Sequence, residues 1–207
     1  TGGEGGLGGL LSLAGGAGSS ATGGKLIIKS GASYETTSGS VSILTEKSAL
    51  SGVSGTIAIQ TGASQTGASG GVALMTGDST AGRSGGINLL VGSGDTGNGG
   101  AVNITAGDSN AGDGGGISVH GGTGTGAGSF GGSIELLAGE GVASGGSLKL
   151  LSGESPSGAS GAVTIGTADA LTRGQRGRST VASVAAGAGN SGSVVIESGE
   201  STSGQGG

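Results

Sequence analysis

Cysteine and tryptophan are absent, and proline, phenylalanine, tyrosine, methionine and histidine each occur once in 207 residues. Without cysteine there is no disulfide framework and no thiolate metal site, and the redox compartment is left open. His120 alone cannot build a multi-histidine metal centre or supply more than one imidazole to catalysis. Two aromatic residues, Tyr34 and Phe130, cannot fill the core that a globular domain of this length normally builds from aromatics. A single proline, Pro156, and the lack of a strict Gly-X-Y period exclude collagen. No run of 18 apolar residues exists, which leaves no membrane-spanning helix. The net charge of −5, with no broad basic surface and no aromatic platform, argues against nucleic acid as a partner.

What the chain does contain is glycine, 57 residues of it. Glycine at this level usually marks a flexible linker, but here the aliphatic residues recur at a fixed interval. The first aliphatic residue of each short apolar phrase is Leu11, Leu26, Val41, Ile57, Val72, Ile87, Val102, Ile117, Ile134, Leu148, Val163, Ala182 and Val194. Most intervals are 15 residues. A second aliphatic follows two positions later, as in Ile43, Leu74, Ile104 and Leu136. Alternation with period two in β-branched residues and Leu is a strand signal. Helix is disfavoured because every repeat carries several glycines, each costing about 1 kcal/mol in a helix interior.

Glycine occupies fixed offsets within the repeat. One column ends each apolar phrase (Gly62, Gly77, Gly92, Gly107, Gly139, Gly153), and a second follows ten residues after the phrase begins (Gly67, Gly82, Gly97, Gly112, Gly158). A third lies just before the next phrase, as in Gly70-Gly71 and Gly85-Gly86. Such columns supply positive φ at corners and let backbones approach closely. The pattern predicts an all-β fold: a flattened parallel β-solenoid of about 13 rungs of ~15 residues, with a thin, Gly-rich core. One wall would be aliphatic. The other, drawn from stretches such as 78–84 and 108–114, would turn only Ala, Ser, Thr and Gly inward, as strand or as polyproline II.

The expected organisation is a single continuous domain: regular rungs over 1–167, a basic insertion loop over 168–180, and terminal rungs over 181–207. Both ends resemble interruptions of the repeat, so the chain is expected to be a segment of a longer protein. The insertion carries Arg173, Arg176 and Arg178 against Asp169, a local charge of +2 that leaves −7 for the remainder. A basic loop on an acidic chain suits docking onto the acidic edge of a neighbour.

Several chemical motifs fail on their context. The stretch "GTGTGAG" (122–128) imitates a phosphate loop but lacks the following Gly-Lys-Ser/Thr and a strand–loop–helix setting. Acidic residues follow the phrase-ending glycine at Asp78, Asp108, Glu140, Glu154 and Glu200, a column interrupted by Ser93 and Thr123 and nowhere clustered. That spacing suits a solvated edge, with Glu140 and Glu154 the weak candidates for bridging by a divalent cation. Clustered acids of the kind a catalytic groove needs are missing, so neither an enzyme nor a resident cofactor is expected.

Outward positions of the apolar phrases carry a different signal. Leu44, Met75, Leu90, Leu137 and Leu151 share one such position and would form an apolar stripe. An apolar stripe of this length is unusual on a soluble monomer and marks an assembly face. At the neighbouring outward position Glu135 lies one repeat from Lys149, and Asn88 one repeat from Asn103, as a stacked ion pair and an amide ladder. Asn103-Ile104-Thr105 also fits the N-glycosylation sequon, making Asn103 a candidate modification site of a glycoprotein.

The phrase GGxΦxΦxxG…GxxGG, in which Φ is aliphatic, runs through 71–86 and again through 86–100. It resembles the Gly/Ser-rich β-solenoid repeats of algal and other protist surface proteins, those of diatoms and related stramenopiles above all. The resemblance covers nearly the whole chain and implies a secreted filament, hair-like appendage or wall component at the cell surface. It carries over no functional residue. The expected function is a structural building block of an extracellular filament, self-assembling end to end and laterally with copies of itself or related solenoid chains. An ice-binding solenoid and a surface adhesin are the alternatives.

Overall fold

The computed structural model describes residues 8–48, 52–168, 177–183 and 191–198. It overturns the expected β-solenoid. Among the described residues there is no helix and no strand, and no sheet is formed. What survives of the repeat is its period, expressed as bends rather than rungs.

The chain divides into two units, Thr1–Val102 and Asn103–Gly207. In the first, bends fall at 19–21, 34–36, 52, 65–67, 80–82 and 95–97. In the second they fall at 110–112, 126–128, 142–143 and 156–158. The apolar phrases occupy the straight segments between bends. The stretches expected to form the opposite wall of the solenoid are instead the loops.

Six of the loops close on themselves at a glycine neck. In the first unit Gly24 N–H donates to the Gly16 carbonyl at 2.7 Å and Gly39 N–H to Gly31 at 3.0 Å. The second unit repeats the device four times: Gly115 donates to Gly107 (2.9 Å), Gly132 to Gly122 (2.8 Å), Gly146 to Gly139 (2.9 Å) and Gly161 to Gly153 (3.0 Å). These bonds join residues seven to ten apart. A solenoid needs bonds between residues a full repeat apart, and the backbone–backbone bonds among the described residues all close within a single loop. Once a neck has formed, its glycines have bonded locally and the next segment departs without a partner.

Burial follows from this path. No described side chain is buried, hydrophobic or polar. The chain exposes 20568 Å², against about 8,200 Å² for a compact monomer of its mass and about 27,000 Å² for the fully unfolded chain. The two aliphatic columns of the repeat, expected to line a core, lie open to solvent: Val41 is 50% and Ile43 69% exposed, Ile57 49% and Ile59 76%. The physical reason is the thin return wall. Two aliphatic side chains per repeat, facing only Ala, Ser, Thr and Gly, offer little apolar area against the backbone entropy of ordering so much glycine.

The corners also differ from expectation. Positive φ is found at three described glycines, Gly52 (120°), Gly97 (76°) and Gly128 (76°), so most glycines of the corner column turn without it.

Amide exchange tests this architecture on the dilute chain. The amides of 87–91 and 134–137 are expected to exchange within about tenfold of unstructured rates, because no ladder shields them. Strong protection recurring every 15 residues would restore the sheet.

Candidate functional site

The loops are built by a short side-chain device that complements the glycine columns. Ser64 Oγ accepts the N–H of Gly67 at 3.1 Å, Ser109 Oγ that of Gly112 at 2.9 Å, and Ser155 Oγ that of Gly158 at 2.9 Å. Ser33 does the same for Thr36 at 2.9 Å. A serine three residues before the corner glycine thus satisfies a backbone donor that a bend leaves open. Where that serine is replaced by Gly94, the corner residue Gly97 takes φ 76° instead. The loop then turns through the backbone alone. The sequence signal for this device, Ser-x-x-Gly at Ser64, Ser79, Ser109 and Ser155, lies beside a glycine column already evident and is easily passed over in so serine-rich a chain.

A second column closes the necks. Thr61, Thr76, Ala106, Ala138 and Ser152 each stand one residue before the phrase-ending glycine. A Cβ placed on the glycine facing each would lie 3.5 Å from Thr61 Cγ2 (at Gly70), 3.6 Å from Thr76 Cγ2 (at Gly85), 3.4 Å from Ala106 Cβ (at Gly115) and 3.3 Å from Ser152 Cβ (at Gly161). At Gly100 it would come within 2.8 Å of Val91 Cγ1, which requires the neighbour to move. Ala106 and Ser30 in this column are two of the three described residues that are half-buried. Small residues here let the two sides of the neck meet.

The expected assembly residues are placed as follows. Met75, Leu90, Leu137 and Leu151 are 80% exposed or more, and Leu44 is 68% exposed. Each sits on a straight segment of its own and is more open than the first aliphatic of its phrase, while Gln60, Thr105 and His120 hold the same position on intervening segments. Arg178 is exposed, whereas Arg173 and Arg176 lie outside the described residues. Glu140 and Glu154 are exposed and directly follow the neck glycines Gly139 and Gly153. No group of three or more His, Cys, Asp or Glu residues capable of holding a metal ion occurs among the described residues. Asn103 is exposed on a straight segment. Glu135 and Lys149 are both exposed, and with no strand among the described residues neither a Glu135–Lys149 stack nor an Asn88–Asn103 ladder has a sheet to carry it.

One side-chain pair was not evident from the sequence. Ser118 Oγ and His120 Nε2 approach to 2.5 Å across two residues of one straight segment. Alternation along a strand-like path puts i and i+2 on one side, which explains the contact. Among the described residues no acid orients the ring and no pocket is found, so the pair is a local surface bond. No described helix is long and apolar enough to cross a membrane.

The corner chemistry makes a contrasting pair of substitutions informative. G97A, at a φ of 76°, should disfavour its loop by about 1–2 kcal/mol, the cost of an L-residue in the left-handed region. G112A keeps an ordinary φ and a Cβ at 3.6 Å from Ser109 Oγ, so it should be tolerated within a few tenths of a kcal/mol. Residual dipolar couplings across the two necks distinguish them; equal effects would remove the assigned role of the corner.

Comparison with known protein families, curated proteins and solved structures finds no match, and no family is assigned to the chain.

Proposed function

We propose that the chain is a structural building block of an extracellular or cell-surface filament, assembling laterally and end to end with copies of itself or related chains. The observation that supports this is the exposure of the outward aliphatics. Leu90, Leu137 and Leu151, each 80% exposed or more, lie on segments whose other aliphatics are also exposed. Soluble monomers rarely leave so many large aliphatic side chains open, and association is the ordinary way to cover them. Straight segments without ladder partners add the second ingredient, since an unpaired segment is a template for another chain.

The loops fit the same role. Asp78, Asp108, Glu140 and Glu154 stand at the loop entrances, where their charge keeps loops solvated while segments associate. Arg173, Arg176 and Arg178 supply the opposite charge for docking on such an edge of a neighbour. Asn103 is a candidate acceptor for a glycan, and a glycan there would be compatible with a surface location.

Sedimentation velocity across a concentration series, with electron microscopy of the sedimenting material, tests the reading. Wild-type chain is expected to form elongated species above a critical concentration. Replacing Leu90, Leu137 and Leu151 together by Ser should raise that concentration at least about tenfold, given about 25 cal/mol per Å² of apolar area lost from the interface. A chain that stays monomeric to millimolar concentration overturns the proposal, and thermal hysteresis in that monomer would turn it toward ice binding.

A further inference from the structure

Glu135 and Lys149 occupy the same place in successive repeats, directly after Ile134 and Leu148. Both are exposed, on straight segments over 132–139 and 146–153 of the second unit, and neither has an ion-pair partner among the described residues. Their own chain does not bring them together, because each segment ends in a closed neck, Gly146 to Gly139 and Gly161 to Gly153. We infer that these segments are seated by a second copy of this chain, parallel and offset by one repeat, so that Glu135 of one copy faces Lys149 of the other. This rests on the self-assembly proposed above and specifies its register.

Charge decides between the possible registers. A copy laid in register would set Glu135 against Glu135 and Lys149 against Lys149, two like-charge pairs directly opposite each other. An offset of one repeat replaces both by a single attractive pair and leaves the outer charges opposite neutral residues, Glu135 beside Ser118 and Lys149 beside Thr164. An offset of two repeats sets Glu135 opposite Thr164 and Lys149 opposite Ser118, with no attraction. The exposed loops do not discriminate, since Glu140 meets a glutamate in the first two registers.

Direction is decided by the outward leucines. In the parallel offset Leu137 of one copy faces Leu151 of the other, both at least 80% exposed in the single chain. An antiparallel pairing that keeps Glu135 opposite Lys149 forms that charge pair twice but sets Leu137 against Ser147 and Leu151 against Ser133, leaving both leucines without an apolar partner. The parallel offset is also open-ended. Each added copy leaves a repeat uncovered at either end, so the contact is heterologous and does not close on itself.

A charge-swap cycle in the full chain tests the register by critical concentration. E135K and K149E are each expected to raise it roughly threefold, in line with the strength of a cross-strand charge pair. The double swap, E135K with K149E, is expected to return it to within about twofold of wild type. Single variants that assemble like wild type overturn the offset. Direction is read from disulfide trapping, since the natural chain has no cysteine. Mixed L137C and L151C chains, oxidised mildly with glutathione disulfide, should give the 137–151 cross-link in preference to either homodimer. Preferential 137–147 trapping in an L137C and S147C mixture, or 137–137 trapping, overturns the parallel offset. Wild-type chain that never sediments overturns the assembly reading itself, a result separable from either.

Discussion

The close approach of backbone to backbone at the glycine necks governs the rest of this structure. At Gly121 and Gly132 a Cβ on the first glycine would collide with the Gly132 carbonyl oxygen, and one on the second would stand 3.0 Å from the Gly122 nitrogen. Only residues without side chains let a carbonyl and an amide meet there, 2.8 Å apart, from opposite sides of a ten-residue loop. Because the bond is local, it costs little loop-closure entropy. It also competes directly with pairing between repeats. A neck amide bonded to its own loop is not available to the next segment.

Apolar exposure is the consequence. A chain whose backbone bonds close within loops has no sheet on which to lay its side chains, and the aliphatic columns stay open. The first aliphatic of most phrases is about half covered, whereas Met75, Leu90, Leu137 and Leu151 are each 80% exposed or more. The same sequence therefore carries two features of opposite character. The loops satisfy their own polar groups through serine and glycine, and the segments satisfy neither their backbone nor their side chains. Association with another copy addresses both deficits at once, through ladder bonds and apolar contact.

Repetition gives that association its leverage. Many weak contacts at one spacing act together once the first has formed, so a chain of short apolar phrases can bind a copy of itself far more tightly than any phrase alone. Repetition also creates ambiguity, because the paired aliphatics of the phrases recur in every register. In the proposed assembly the few charged residues on the segments remove it. Glu135 and Lys149 distinguish one repeat from the next, much as a polar residue at one position sets register in a coiled coil.

Much of this was legible in the residues. The period of the aliphatic phrases and the glycine columns follow from alternation and spacing, which are local properties of the chain. The Ser-x-x-Gly corners were equally local and lay in view at Ser64, Ser109 and Ser155, but abundant serine hid them. What the sequence could not decide was the partner of each turn. A glycine-flanked apolar phrase is compatible with a bond to the residue one repeat away or to the residue across its own loop. That choice depends on the path of the backbone in space, and here Gly107 and Gly115, Gly139 and Gly146, Gly153 and Gly161 found each other first. The period belongs to the sequence; whether it became rungs or loops was settled by which backbone groups came within reach.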